Sequence, residues 1–212
     1  MKKMVFALLV SGALMGTDGL AADRVFQIDP VHSSVQFRIR HLYSTFVGRF
    51  DKFEGTISGD PADPASMKVS AKVDVTSIDT FNAMREKHLR SPDFFDTDHF
   101  AVATFESTKT TPGDKKDTGS VTGKMTIRGI SKEVTFQGQF LGSGVGMDPK
   151  GGDRAGFHAT TTLDRFDFGV AYKGSLTNGL PMLGSEVELI LDIEAAEIKA
   201  DAAPATPKMP AK

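Results

Sequence analysis

From Asp29 to Ile57, hydrophobic and polar positions alternate. Val35, Phe37, Ile39 and His41 fall on one face of an extended segment, and Gln36, Arg38 and Arg40 on the other. A period of two with one apolar and one charged face predicts a strand that meets a core on one side and water on the other. After a break at Tyr43-Ser44-Thr45, Phe46, Gly48 and Phe50 share a side. Phe53, Gly55 and Ile57 resume the alternation one residue out of step, which predicts a bulge near Asp51 and Lys52.

The same pattern recurs downstream. Residues 24–29 form a short first strand stopped by Pro30. Met67, Val69, Ala71, Val73 and Val75 alternate with Lys68, Ser70, Lys72, Asp74 and Thr76. Further strands are predicted over 101–110, 120–128, 132–143, 154–165 and 186–195, with a tight reversal at 129–131 and loops over 111–118, 142–152 and 168–184. Gly123 and Gly138 share inward faces with Met125, Ile127, Phe136 and Phe140; mid-strand glycine points to curvature, a bulge or room left for a ligand. The period changes once. Residues 80–90 lack Gly and Pro and place Phe81, Met84 and Leu89 near one helical face, with Thr80 as the cap. Ser91-Pro92-Asp93 starts one more turn through Phe95.

Eight or nine strands and one helix predict an all-β, antiparallel architecture. Closure into a barrel would remove exposed strand edges; a fully packed sandwich is the competing arrangement, and alternation does not separate the two. Strands of about ten residues, tilted near 40°, would enclose a barrel lumen on the order of 25 Å long. Both ends of the chain differ from this middle. Met1-Lys2-Lys3, an apolar run from Met4 to Met15 and small residues at Gly19 to Ala22 predict a secretory signal over 1–22 and a periplasmic protein. The run is shorter than the about 20 residues of a membrane span, which favours cleavage over the alternative of an uncleaved anchor. The barrel domain then covers 23–197, and the Ala/Pro/Lys-rich stretch 198–212 holds too few large apolar residues to pack.

Composition narrows the chemistry. Zero Cys removes disulfides, thiol catalysis and thiolate metal sites, and a net charge of −2 without a basic patch excludes nucleic acid as a partner class. Aromatic content is 16 Phe, two Tyr and no Trp, so most of it carries no polar atom needing a partner. The five His show no i, i+4 pair and predict no metal site. His41 reads as a lining residue, His32 as a tie to loop backbone, and His88 with Arg85 as a bond to the barrel end. Gly142-Ser143-Gly144 lacks the nucleophile-elbow spacing, and Arg165 with Asp167 reads as a structural pair. No enzyme and no cofactor are expected.

Several motifs resemble the YceI-like family. They are Asp29-Pro30-Val31-His32-Ser33, Arg40-His41-Leu42, Gly48-Arg49-Phe50 and Phe53-Glu54-Gly55, then Arg85 with His88 to Asp96, Thr104 to Ser107, Met125 to Lys132, and Asp164 to Gly169. They run in order from about Val25 to Ile193. Glu86 and Ala101 depart from the family's usual Asp and Pro. The resemblance implies a lipocalin-like antiparallel barrel with one helix packed on it, secreted to the periplasm and binding isoprenoid lipids or quinones. On that reading the ligand-binding positions are Phe37, Ile39, His41, Val73, Phe105, Met125, Ile127, Phe136 and Phe140. The 168–184 loop is expected to gate the mouth and touch membranes transiently; homo-oligomerisation stays open. A filled barrel that binds another protein is the alternative, and a hydrolase or isomerase comes third.

Overall fold

Nearly every stretch that alternates in sequence is a strand in the computed structural model, which describes residues 24–60, 63–146 and 152–198. The expected signal over 1–22 and the tail beyond Ile198 lie outside the described residues. The strands are β1 (Arg24–Ile28), β2 (Ser34–His41), β3 (Ser44–Phe50), β4 (Phe53–Gly59), β5 (Lys68–Asp74), β6 (Ile78–Asp79), β7 (Val102–Pro112), β8 (Thr118–Ile127), β9 (Ile130–Val145), β10 (Asp153–Asp164) and β11 (Leu183–Glu197). Every pairing is antiparallel. The order β1-β4-β5-β7-β8-β9-β10-β11 returns to β1, which makes a closed eight-stranded barrel and sets aside the sandwich.

The remaining three strands extend this barrel at one end. β1 pairs with the last residues of β11, Ile28 opposite Ala195, while β2 pairs with its earlier part, Val35 opposite Leu191 and Ile39 opposite Val187. β1 and β2 are therefore one long strand interrupted at 29–33. β3 and β4 relate in the same way across Asp51 and Lys52, where the change of register was expected. There the Lys52 N–H donates to Ser77 Oγ at 3.0 Å. β5 and β6 are separated by a single turn of tighter helix, Val75–Ser77. Three interrupted strands account for eleven segments where eight or nine were expected.

The helix is shorter than its sequence pattern suggested. α1 spans Ala83–Arg90, and Asn82, not Thr80, caps it by accepting the Arg85 N–H at 3.0 Å. The Glu86 carboxylate reaches back and accepts the Thr80 and Asn82 N–H groups at 2.8 and 3.0 Å, closing the first turn reciprocally. Phe81 has a positive φ of 59° and so stands outside the helix. With that offset, the expected apolar face does not form. Phe81 and Met84 are exposed, and α1 turns Leu89, Arg85 and His88 inward.

The barrel's interior divides along its axis. Phe105, Met125, Val134, Phe136, Leu163 and Phe168 pack together at mid-barrel, and Phe26, Ile57, Ala155 and Ala195 fill the end where β1 closes on β11. Gly123 belongs to this filled region. A Cβ there would lie 2.5 Å from the Glu106 carbonyl oxygen and 2.6 Å from the Phe105 ring, so its missing side chain makes room for Phe105 rather than for a ligand. Full burial of each large apolar side chain contributes roughly 1.5–3 kcal/mol, and these clusters are the main store of stability.

Two ion-pair groups fasten the closed end. Arg24 bonds Glu197 at 2.6 Å and Asp153 at 2.7 Å, joining β1 to β10 and β11. Arg154 Nη1 bonds both Asp29 at 2.5 Å and Glu194 at 3.0 Å, while His32 Nδ1 lies 3.0 Å from Asp29. His32 thus ties a side-chain carboxylate, not the loop backbone. Hydrogen bonds from His32 and Arg154 hold the Asp29 carboxyl well below the usual carboxylate range. A depressed folded-state pKa adds stability that is complete above the unfolded value near 4 and is lost as pH falls below it. Asp29→Asn should therefore lower Tm at pH 7 by several degrees, for a loss of about 1–3 kcal/mol. Thermal melts should show the gap to the native chain narrowing as pH falls below about 4, where Asp29 of the unfolded chain takes up a proton while the folded carboxylate stays ionised; a gap independent of pH would rule out this role.

Candidate ligand cavity

The other end of the barrel is not filled. A cavity of about 460 Å³ lies there, within the roughly 300–1,000 Å³ range of small-ligand sites. β2 supplies Phe37, Ile39 and His41; β3 supplies Ser44, Phe46 and Phe50; α1 supplies Arg85, His88 and Leu89. Ile127, Leu163, Val187 and Leu189 come from the ends of β8, β10 and β11 that reach this level. The segment between β10 and β11 adds Val170, Tyr172 and Met182.

Local packing explains the shape. The Phe37 ring occupies the space where a Cβ on Gly48 would stand, so the small residue in β3 lets the ring lie across its neighbour. Phe37 then meets Phe50 at 5.7 Å between centroids, and Phe50 meets Phe95 edge-on at 6.2 Å. On the opposite wall Phe94 stacks on Tyr172 at 4.8 Å, and His88 presents its edge to both. His88 Nε2 also lies 2.9 Å from Asp93, not on Arg85. This aromatic group joins α1 to the segment before β11.

The polar groups in the lining are one-sided. Among the described residues no carboxylate borders the cavity, whereas Arg85 and Arg165 do. Arg165 is only 6 % exposed; its Nε donates to the Gly184 carbonyl at 2.8 Å and its Nη1 to the Val170 carbonyl at 2.7 Å. It makes no ion pair with Asp167 among the described residues, contrary to the expected structural pair; instead its guanidinium sits 4.2 Å from the Phe166 ring centroid. Burial lowers its pKa from the ordinary value, with the Asp164 charge acting against that shift. Arg85 is tied to Thr80 by two hydrogen bonds, 3.1 Å to the hydroxyl and 2.5 Å to the carbonyl, and lies 4.0 Å over the Phe46 ring.

Of the positions singled out from the sequence, Phe37, Ile39, His41 and Ile127 border this cavity. His41 does so from an exposed rim position, not from inside. Phe105, Met125 and Phe136 belong to the packed mid-barrel cluster. Val73 is half-buried opposite Phe53 and Ala103 and lines no cavity. Phe140 is 37 % exposed and leans on Phe157 at 5.5 Å, toward the closed end. Alternation assigns a face but not a depth along the strand, and depth separates lining from core. Phe46, Phe50, Val187 and Leu189 carried the same alternation signal. Arg165, Tyr172 and Phe94 sit in irregular segments, where no periodicity marks them.

Two other features lie apart from this cavity. Asp29, His32 and Glu194 bring ligand atoms within 4.8 Å of one another, a spacing that would suit a metal, but Arg154 already bonds both carboxylates. Gly138 borders a separate depression formed by the 111–120 turn, Gln137 and His158, away from the main cavity.

Known proteins share both the sequence and the shape. The model of the YceI-like domain matches residues 26–195. A UPF0312 protein of Ectopseudomonas mendocina is 40% identical over 92% of this chain and 97% of its own length. Burkholderia cenocepacia BcnA superposes with a TM-score of 0.69 at 24% identity, covering 79% of this chain and 98% of that one. A structure described as a polyisoprenoid binding domain from Saccharophagus degradans gives a TM-score of 0.56 at 14% identity, over 82% of this chain and 98% of that one. The last two establish a shared fold. With its family motif matched from 26 to 195 and its barrel closed as in these neighbours, the chain belongs to the YceI-like family.

Proposed function

We propose that the protein is a non-catalytic carrier that sequesters an isoprenoid lipid or isoprenoid quinone, and that it works in the periplasm. One observation carries this reading: a largely apolar cavity, aliphatic and aromatic, without a carboxylate in its wall among the described residues, left open at one end of an otherwise packed barrel. Each buried methylene contributes about 0.8 kcal/mol before ordering costs, so an apolar chain binds here with few polar contacts. The polar end of the ligand would face Arg85, Arg165 and the His41 rim. The shared fold with a protein described as polyisoprenoid binding supports the ligand class. The basic and then apolar N-terminal sequence supports the compartment. Met182 and Leu183 border the cavity and Leu180 is exposed, which supports a gate over 168–184 that touches the membrane during exchange.

Protein purified gently from its native host should carry a lipid. Organic extraction and mass spectrometry should recover a prenyl chain or quinone at near-equal molar ratio. Protein that is clean and also refuses added isoprenoids would leave the interaction-protein alternative in its place.

Filling the cavity should separate binding from stability. Val187→Trp places a large ring in open volume; Tm should move by only a few degrees while isoprenoid affinity falls by about tenfold or more. Gly138→Leu lies outside the cavity, with the nearest atoms 3.8 Å from its Cβ position, and should leave both unchanged. A loss of more than about 2 kcal/mol in Val187→Trp, lowering Tm by well over a few degrees, would mean that the volume is already filled.

Hydrogen exchange should report the gate. Amides over 170–183 should slow when saturating isoprenoid is added, because a bound chain would pack against Val170, Tyr172 and Met182. Exchange unchanged at saturation would remove the gating role.

A further inference from the structure

The three elements that border the cavity mouth share a division of surfaces. In the β2–β3 hairpin, His41 and Ser44 line the cavity, while Tyr43 at the tip is 86 % exposed. In α1, Arg85, His88 and Leu89 line it, while Met84 is 83 % exposed. In the 170–183 segment, Tyr172 and Met182 line it, while Leu180 is 53 % exposed. The elements also touch one another. The Leu42 N–H donates to the Met182 carbonyl at 3.0 Å, His88 meets Tyr172 at 5.4 Å, and Arg85 covers Phe46. Each therefore lines the cavity on one side and puts a large side chain, Tyr43, Met84 or Leu180, into water on the other.

Charge on these elements is skewed. Segments 38–43, 83–90 and 170–183 hold Arg38, Arg40, Arg85, Lys87, Arg90 and Lys173 against one acid, Glu86, in a chain whose net charge is −2. Three neighbouring acids are engaged: Glu86 with the Thr80 and Asn82 amides, Asp93 with His88, and Asp96 with His99 at 2.9 Å. Glu188 lies 3.7 Å from Arg38. Aromatic and apolar side chains among basic residues are the composition of surfaces that insert at an anionic lipid interface, each Lys or Arg adding to attraction within a Debye length.

We infer that the cavity rim is a docking surface for an anionic phospholipid bilayer, with Tyr43, Met84 and Leu180 entering the interface and Lys87 and Lys173 pairing with headgroups. The inference rests on the carrier reading only for its purpose, since a lipid taken into the cavity must leave a bilayer at its mouth. Docking by itself follows from the rim, and it assigns to the hairpin and α1 a contact beyond the 168–184 gate. The barrel then stands on the membrane with its packed end away from it.

Co-sedimentation with vesicles of phosphatidylcholine alone or mixed with phosphatidylglycerol tests this directly. Binding to the anionic vesicles should exceed binding to the neutral ones by about tenfold or more at low salt, and should fall as salt shortens the Debye length. Lys87→Glu with Lys173→Glu should reduce anionic binding by about tenfold or more. Tyr43→Ser with Met84→Ser and Leu180→Ser should reduce it at every salt concentration. None of these five residues borders the cavity, so thermal melts and uptake of farnesol from solution should match the native chain. Vesicle binding with no farnesol uptake would uphold docking while removing the carrier reading. Native protein that stays in the supernatant with anionic vesicles would overturn the inference, as would charge-reversed protein that sediments like the native one. A concentration-dependent dimer in sedimentation equilibrium that the triple serine variant abolishes, with no vesicle binding, would assign the surface to a second copy of the chain instead.

Discussion

The long strand β11 sets the constraint to which the rest of the barrel conforms. Its fifteen residues present backbone donors and acceptors on both edges, and unpaired groups of that kind are costly or invite association. One edge is satisfied by β10 over eleven of these residues, from Ala196 opposite Arg154 to Glu186 opposite Asp164. The other edge is shared between two shorter strands. β1 takes the last residues and β2 the earlier ones, so the chain must bend between them at 29–33. The Ser33 hydroxyl donates to the Glu194 carbonyl at 3.1 Å, and Arg154 bonds Asp29 and Glu194; both hold that bend against β11.

The bend has a consequence at the opposite end. Below it, β1 goes on to pair with β4, and the wall closes tightly around Phe26, Ile57, Ala155 and Ala195. Above it, β2 carries β3, and β3 meets β6 for only two residues, Arg49 and Phe50. Strand pairing alone does not complete this part of the wall. α1 and the turn after it supply Leu89, Phe94 and Phe95 beside β3, with Arg90 bonded to the Thr76 carbonyl at 3.1 Å. Side chains from a helix and turns replace a regular sheet face. They leave volume that strands at normal spacing would have filled. The cavity thus follows from how β11 is shared, and the aromatic residues around it follow from the need to cover a gap with few atoms.

This division also explains what could be read from the sequence. Strand faces were legible because period two has one physical cause, and the change of register at Asp51 and Lys52 was visible as an offset in that period. The turn between β8 and β9 was legible to within a residue: Arg128 and Gly129, with φ of 50° and 73°, carry the reversal, and Ile127 faces Ile130. The end of β9 was not. Its pairing runs on through Gly142 and Gly144 to Val145, because β10 lies alongside and overrides the low strand preference of glycine. At the site, Phe37 and Ile39 were legible as inward residues. Phe105 and Phe136 have the same pattern but lie deeper, where the barrel is packed. Their different fate depends on which cross-strand neighbours reach the same level, and that is set by register between distant strands. Arg165 was recognisable as a charged residue in a motif, but not as a buried one. Its partners are the carbonyls of Val170 and Gly184, brought together only by the path of the segment before β11.

A barrel that is packed at one end and open at the other resolves a conflict inherent in binding an apolar chain. Unfilled apolar volume forfeits dispersion contacts and lowers stability, with penalties that grow with cavity size. A protein of this length has only a small net stability, so the loss must be confined. Here the closed-end cluster and the ion pairs of Arg24 and Arg154 lie apart from the cavity wall, and the mid-barrel cluster meets it only at Leu163 and Phe168. The groups that enclose the cavity are joined mostly by ring contacts and by bonds from exposed side chains, such as His88 to Asp93. Contacts of that kind are worth about 0.5–1.5 kcal/mol each for aromatic pairs and less for exposed ion pairs. The rim is thus held by weaker interactions than those that maintain the packed end of the fold.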